Sequence, residues 1–114
     1  MSLDNLKNLT KKYIQAFDNK DINSIKALLT EDFILEDPVV KKVRGRDNAL
    51  KKILEIFNGA EVLSFKAISV FQQDNTTLIE FNLILDDVTL KGVDILDWEN
   101  NKIKELRAYL DIPK

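Results

Sequence analysis

Hydrophobic residues in the first half of the chain recur at helical spacing. Over residues 3–18 they return every three or four positions while lysines occupy the opposite side, which predicts an amphipathic helix with Tyr13 facing inward. Asp21 can cap a second, shorter helix that would form a hairpin with the first. A third helix is predicted over residues 47–57, ended by Asn58-Gly59, with a buried face made of Leu50, Ile53, Leu54 and Phe57.

The second half of the chain follows the two-residue alternation of β-strands. Alternating and β-branched residues predict an antiparallel meander of four strands, over residues 61–73, 76–85, 88–99 and 102–111. The turns between them carry Asp or Asn residues, which tolerate positive φ. An earlier short strand runs from Phe33 to Leu35, and Pro38 should end it because proline has no N–H to donate.

The order of these elements, helices first and strands last, predicts an α+β fold. Helices and sheet bury their apolar faces together when three N-terminal helices pack on the concave face of a curved, mainly antiparallel sheet. Such an arrangement is cone-shaped and leaves an apolar pocket inside. With 114 residues, 45% of them hydrophobic, the chain has the size of a single domain over residues 1–114.

Composition narrows the chemistry open to this chain. It has 17 basic and 19 acidic residues and a net charge of −2, which argues against nucleic-acid binding. It has no cysteine and no histidine, so proton chemistry must use carboxylates, tyrosines or lysines. No basic leader and no apolar run of membrane length is evident, so we expect a cytoplasmic protein that works without a membrane, a metal or a cofactor.

Three oxygen-bearing residues are candidates for chemistry. Asp94 lies in an otherwise apolar strand, and an acid buried without a partner keeps its proton and can donate a hydrogen bond. The pattern alone slightly favours the alternative, in which this face points to solvent or to a second subunit and Asp94 pairs with a lysine. Asp37, just before Pro38, has the sequence context of a turn residue, and Tyr13 that of an ordinary core tyrosine.

Strand alternation also predicts the lining of the pocket. Two strands taken to be neighbours each present an apolar face, made of Ile79, Phe81, Leu83, Leu106, Ala108 and Leu110. From the helices, Phe17, Ile53 and Phe57 should complete this substrate-binding surface. The opposite, outer face of the sheet carries Arg107 and Tyr109, and it is the predicted surface for a homodimer because Arg and Tyr are enriched at interfaces.

Several segments resemble the bacterial Δ5-3-ketosteroid isomerases. They are Tyr13-Ile14-Gln15-Ala16-Phe17, Asp32, Leu35-Glu36-Asp37-Pro38-Val39, Val93-Asp94-Ile95-Leu96 and Arg107-Ala108-Tyr109-Leu110. The likeness runs nearly end to end and implies the cone fold of the nuclear transport factor 2 superfamily, which includes SnoaL-type polyketide cyclases and limonene epoxide hydrolases. It also implies that Asp37 is the general base, Tyr13 the oxyanion tyrosine and Asp94 a protonated acid that donates to the same oxygen.

The resemblance implies a cofactor-independent isomerase of the steroid Δ-isomerase kind, which moves a double bond in an apolar ketone by proton transfer. Two other classes stay open: a protein that binds a small hydrophobic ligand without turnover, and an interaction module that uses the outer sheet face. The expected partners are a small apolar carbonyl compound, steroid-like ones included, and a second copy of the chain. An epoxide hydrolase is disfavoured, since Gly92 and Ala108 stand where its arginine and second aspartate would be sought.

Overall fold

Three helices and six strands follow one another in the computed structural model, which describes residues 5–38 and 41–111. The helices are α1 (Leu6–Asp18), α2 (Ile22–Ala27) and α3 (Arg46–Gly59). The strands are β1 (Leu29–Asp37), β2 (Lys41–Arg44), β3 (Leu63–Gln73), β4 (Thr76–Leu85), β5 (Val88–Glu99) and β6 (Lys102–Asp111). No helix in the described part of the chain is long and apolar enough to cross a membrane.

The strands form one open sheet in the order β2-β1-β6-β5-β4-β3. Neighbouring strands are antiparallel except β1 and β6, which are parallel. Helix α1 packs on β3 and α3 packs on β1, while α2 contacts both of these helices. The predicted class of three helices on a curved, mainly antiparallel sheet is confirmed. One detail of the prediction is wrong: β6 is not the neighbour of β4, because β5 lies between them.

The predicted elements agree closely with the observed ones in the second half of the chain and less closely in the first. The two asparagines of the last turn both adopt positive φ, at 52° and 66°, as a two-residue hairpin turn requires. Strand β1 begins at Leu29, before the predicted Phe33, because Leu29 already pairs with Ile103 of β6. Leu54 is 38% exposed and does not belong to the buried face of α3.

Strand β2 is absent from the sequence-based prediction. Its four residues, Lys41 to Arg44, include three basic side chains and one apolar one, so they give no alternation signal. The strand forms because the chain turns back after Asp37 and pairs with β1 from Asp37–Lys41 to Ile34–Arg44. A short, charged edge strand of this kind is a common protection against pairing with another chain.

Aromatic rings fill much of the space between the helices and the concave face of the sheet. The ring of Phe17 lies 5.0 Å from that of Phe57 and 4.9 Å from that of Phe65, which in turn lies 4.8 Å from Phe81. The Tyr13 ring packs at 6.1 Å from Phe17 and 6.4 Å from Phe65. These tilted and edge-to-face contacts fix the orientation of Tyr13 on the inner side of α1.

A buried chain of hydrogen bonds ties α1 to the sheet. The indole Nε1 of Trp98 donates to Thr77 Oγ1 at 2.9 Å, Thr77 and Thr10 share a bond of 2.8 Å, and Thr10 Oγ1 lies 2.7 Å from the carbonyl oxygen of Leu6. Thr10 has a single hydroxyl hydrogen, so when it donates to Leu6 the bond between the threonines is donated by Thr77. All three hydrogen bonds then run in one direction, each bond polarising the next.

We expect Thr77→Val to lower the free energy of unfolding by about 1–3 kcal/mol, because the buried Trp98 N–H loses its acceptor and the Thr10 oxygen loses the hydrogen bond that it accepts from Thr77. Valine has nearly the shape of threonine, so the loss reports hydrogen bonding rather than packing. Denaturant titration of both proteins measures it. Thr89→Val, at an exposed position of β5, is the matched control and should change stability by less than about 0.5 kcal/mol. Equal effects of the two changes would contradict this account.

Candidate functional site

Three oxygen-bearing side chains from separate elements line one interior cavity. Tyr13 comes from the inner face of α1, Asp37 from the last position of β1, and Asp94 from the middle of β5. The cavity has a volume of about 70 Å³, and the rest of its lining is hydrophobic. Proline ends β1 immediately after Asp37, which puts this carboxyl where the strand leaves the sheet. Sequence reasoning singled out these three residues, and the fold brings them together.

Asp94 is buried on the concave face of β5. Its side chain is 5% exposed, and it shares the inner face with Leu96 and Trp98, which are also buried. None of the ion pairs formed by the described residues includes Asp94, so the alternative of a solvent-facing acid paired to a lysine is wrong. Burial, and next the negative charge of Asp37, raise the pKa of Asp94 to about 8. Asp94 is therefore mostly protonated at neutral pH.

Tyr13 is equally buried, with 3% of its surface exposed. Burial, and next the charge of Asp94, raise the pKa of the phenol well above its ordinary value of 10.0. The hydroxyl therefore keeps its proton throughout the physiological range and is available as a hydrogen-bond donor. Both Tyr13 and Asp94 can thus offer an O–H to one acceptor atom inside the cavity.

Asp37 occupies the boundary of the cavity. It is half-buried, and it lines both the cavity and a wider groove of about 670 Å³ at the outer side of the sheet. Its charge reaches Asp94, as the raised pKa of that acid records. The two carboxyls therefore have different surroundings: one lies in an apolar interior and one at its edge. Different surroundings suit the two acids to different chemical roles.

Most of the residues predicted to bind substrate line the cavity, namely Phe17, Ile53, Phe81, Leu83, Leu106, Ala108 and Leu110. Phe57 and Ile79 do not, and for these two the prediction is wrong. Phe57 instead packs against the ring of Phe17, which does line the cavity. Ile79 is fully buried beside Asp94 in the sheet and belongs to the core.

Five further lining residues were not predicted: Leu29, Phe33, Leu35, Ile56 and Phe65. The alternation of Phe33 and Leu35 was visible in the sequence, but β1 could not be connected to the pocket without knowing that it pairs with β6. Phe65 likewise has the alternation of a buried strand position. No local signal distinguishes a core residue from one that faces a cavity. The described residues include no cluster of acidic side chains that could hold a metal ion.

An arginine and two carboxylates form ion pairs on the outer face of the sheet. Arg107 donates to Asp97 at 2.6 Å and to Glu105 at 3.1 Å, and all three are partly buried. Burial raises the pKa of Asp97, but hydrogen bonds from Arg107 and Thr76 outweigh it and hold that pKa below the ordinary value. Asp94 and Asp97 thus lie three residues apart on one strand and have pKa values shifted in opposite directions.

Comparison with known proteins gives a family and a fold. The family model of the SnoaL-like domain matches residues 10–106, whereas no curated protein matches the sequence. A candidate ketosteroid isomerase from Kribbella flavida has a TM-score of 0.87 and 20% identity, over 97% of this chain and 81% of that one. A candidate SnoaL-like polyketide cyclase from Jannaschia sp. CCS1 has a TM-score of 0.86 and 12% identity, over 97% of this chain and 90% of that one. An LEH-like epoxide hydrolase from M. tuberculosis has a TM-score of 0.79 and 17% identity, over 95% of this chain and 84% of that one.

Proposed function

Because the chain belongs to the SnoaL-like domain family, we propose that it is a cofactor-independent isomerase that moves a double bond in an apolar carbonyl compound by proton transfer. The observation that carries this proposal is the convergence of Tyr13, Asp37 and Asp94 on one apolar cavity. The fold alone does not select the reaction, since similar structures are named for isomerase, cyclase and hydrolase chemistry. The selection rests on these three side chains and their protonation.

The reaction begins with a proton transfer to Asp37. Its carboxylate removes a proton from the carbon between the carbonyl and the double bond of a β,γ-unsaturated ketone, and the electrons of that C–H bond move to form a dienolate. The negative charge collects on the former carbonyl oxygen. Asp37 then returns the same proton to the γ-carbon, which restores the carbonyl and leaves a conjugated enone. Atoms and charge balance without any further reactant.

Tyr13 and Asp94 stabilise the dienolate. Both are protonated and buried, so each can donate a hydrogen bond to the oxygen while its negative charge develops. The apolar lining excludes competing water, which makes each of these bonds stronger than it would be in solution. As in the ketosteroid isomerases that this sequence resembles, a carboxylic acid held neutral by its apolar site acts as a donor rather than as a base.

The direct test is an assay with two β,γ-unsaturated ketones, cyclohex-3-en-1-one and 5-androstene-3,17-dione, in which the absorbance of the conjugated enone reports turnover. We expect turnover of at least one of them, and we expect Tyr13→Phe, which removes one donor and keeps the ring, to lower kcat by about 10²–10³-fold. No turnover of either ketone, with binding retained, would favour the alternative of a ligand-binding protein. Turnover that Tyr13→Phe leaves unchanged would contradict the assignment of the donors.

The alkaline limb of the pH profile gives a further prediction. Asp94 donates only while protonated, and its pKa is about 8, so kcat should fall as pH rises through that value. The ionised form would also place a second negative charge beside the developing dienolate. Initial rates between pH 6 and about pH 10 measure this limb. Asp94→Asn cannot ionise and should abolish the decline, whereas a decline that persists in this variant would assign it to another group.

We also propose that a second copy of the chain covers the outer sheet face. Ile68, Phe71 and Tyr109 are 57%, 58% and 56% exposed there, and a two-fold interface pairs such a patch with itself. Light scattering should therefore give the mass of a dimer, and the double change Ile68→Glu and Tyr109→Glu should give a monomer. Leu54→Glu, an exposed apolar position on α3 at the other side of the sheet, is the control and should leave the dimer intact.

A further inference from the structure

Two side chains that line the interior cavity, those of Phe81 and Leu110, lie close over Gly92. A Cβ atom placed on this glycine would lie 2.9 Å from the ring tip of Phe81 and 2.9 Å from Leu110 Cδ2, both too close for ordinary contact. Residues 81, 92 and 110 form one row across β4, β5 and β6. Phe81 and Leu110 therefore occupy the space that a side chain at position 92 would take, and they approach each other across the sheet.

Two spaces of different size adjoin here. Asp37, Phe81, Ala108 and Leu110 line both the cavity of about 70 Å³ and the groove of about 670 Å³. Phe81 is only 2% exposed, and its ring packs 4.8 Å from that of Phe65. It is therefore held in the core and does not behave as a loose lid. This ring forms part of the wall that bounds the interior volume.

We infer that the ligand of this site has one ring or a short chain, with a single oxygen that Tyr13 and Asp94 hold, and that Phe81 with Leu110 sets this limit. The inference rests on the proposed function for the role of the oxygen. Its size argument is independent of catalysis: pockets for drug-sized ligands measure about 300–1,000 Å³, several times the volume found here. A four-ring steroid exceeds this cavity, so the steroid-like substrate implied by the sequence resemblance is replaced by a smaller one.

Calorimetric titration with three phenols of rising size tests the inference. Phenol, 2-naphthol and estradiol each offer one aromatic hydroxyl, the planar counterpart of a dienolate oxygen, attached to one, two and four rings. Hydrophobicity alone would make the larger compounds bind more tightly. We expect the reverse for the unmodified protein, with phenol bound at least about ten-fold more tightly than 2-naphthol, a difference of about 1.4 kcal/mol.

Substitutions of Phe81 and Leu110, the two side chains over Gly92, should change this order of affinities. Phe81→Leu removes the ring tip over Gly92 while keeping an apolar core residue, and Leu110→Ala shortens the half-buried residue on the other side. Each should raise the affinity for 2-naphthol relative to that for phenol at least about ten-fold. Phe57→Leu is the matched control, since it removes the same atoms from a ring that does not line the cavity. It should leave the order of affinities unaltered.

The outcomes separate this inference from the proposed function. Selective binding of phenol, with no turnover of cyclohex-3-en-1-one, would support the size limit and overturn the catalytic proposal. Turnover of 5-androstene-3,17-dione by the unmodified protein, or estradiol bound as tightly as phenol, would overturn the size limit and leave the catalytic proposal standing. Failure of the unmodified protein and both cavity variants to bind any of the three phenols would overturn the inference that the cavity is a ligand site.

Discussion

Replacing Asp37 with asparagine is expected to lower kcat for the isomerisation by about 10²–10⁴-fold, the usual contribution of a positioned general base. Asparagine keeps the size and shape of the side chain but cannot accept a proton at neutral pH. The proton of the substrate then has no acceptor at the boundary of the cavity, where Asp37 lies. Enone absorbance under substrate saturation measures the loss, and KM should change much less because the contacts to the apolar lining remain.

Glu36→Gln is the matched control for this change. Glu36 is the adjacent carboxylate on β1, but it faces the outer groove and does not line the cavity. Its loss removes the same charge from nearly the same place in the sequence and should leave kcat within about two-fold, as is usual for a surface group away from the chemistry. If the two variants lose activity equally, or if Asp37→Asn retains full activity, Asp37 is not the base.

Asp94→Asn should make the protein more stable while making it less active. The unfolded chain releases the Asp94 proton near its ordinary pKa of 3.8, whereas the folded protein retains it until about pH 8. The folded state thus binds more protons in this window, so stability falls as pH rises from about 4 to about 8. Asparagine has no proton to lose, so this pH-dependent loss of stability disappears. The free energy of unfolding at pH 7 should rise by as much as about 4 kcal/mol, since one pKa unit corresponds to about 1.4 kcal/mol. Thermal unfolding across this pH range measures the gain.

Asp97→Asn is the control for the stability change, and its effect should have the opposite sign. The folded-state pKa of Asp97 is lowered by its bonds to Arg107 and Thr76, so its charge stabilises the fold above the unfolded pKa and this contribution disappears as pH falls through the folded value. At neutral pH its replacement should therefore lower stability. Replacing two aspartates of one strand would then change the free energy of unfolding in opposite directions, because Asp94 faces the cavity and Asp97 faces an arginine. Equal signs would contradict the electrostatic account of Asp94.

The activity of Asp94 variants should follow the ability of the side chain to donate a hydrogen bond. Asn retains an N–H donor, so Asp94→Asn should cost less turnover than Asp94→Ala, for which we expect a loss of about 10²–10³-fold. A variant that gains stability and loses activity would identify Asp94 as a group retained for the reaction rather than for the fold. An Asp94→Ala protein with the parental rate would exclude it from the site.

The elements of this fold were predictable where the sequence carries strong periodicity. The four strands of the meander and the amphipathic α1 each bury one face, and that face recurs at the period of the element. Strand β2 was not predictable, because three of its four residues are basic and its conformation depends on pairing with β1. The pairing of β1 with β6 also escaped prediction, since alternation says which face a residue occupies and nothing about which strand lies beside it.

For the site, the sequence by itself determined the chemical inventory and which side chains of a strand share one face. Without cysteine or histidine, only carboxylates, tyrosines and lysines remained for proton transfer, and alternation placed Asp94 on the face of Leu96 and Trp98. Only the tertiary structure decided that this face is buried, that Tyr13 and Asp37 reach the same cavity, and that the cavity is small. The reason is physical: burial, electrostatic coupling and cavity volume depend on side chains far apart in the sequence. Phe81 and Leu110 meet over Gly92 through the pairing of three strands, which no local pattern records.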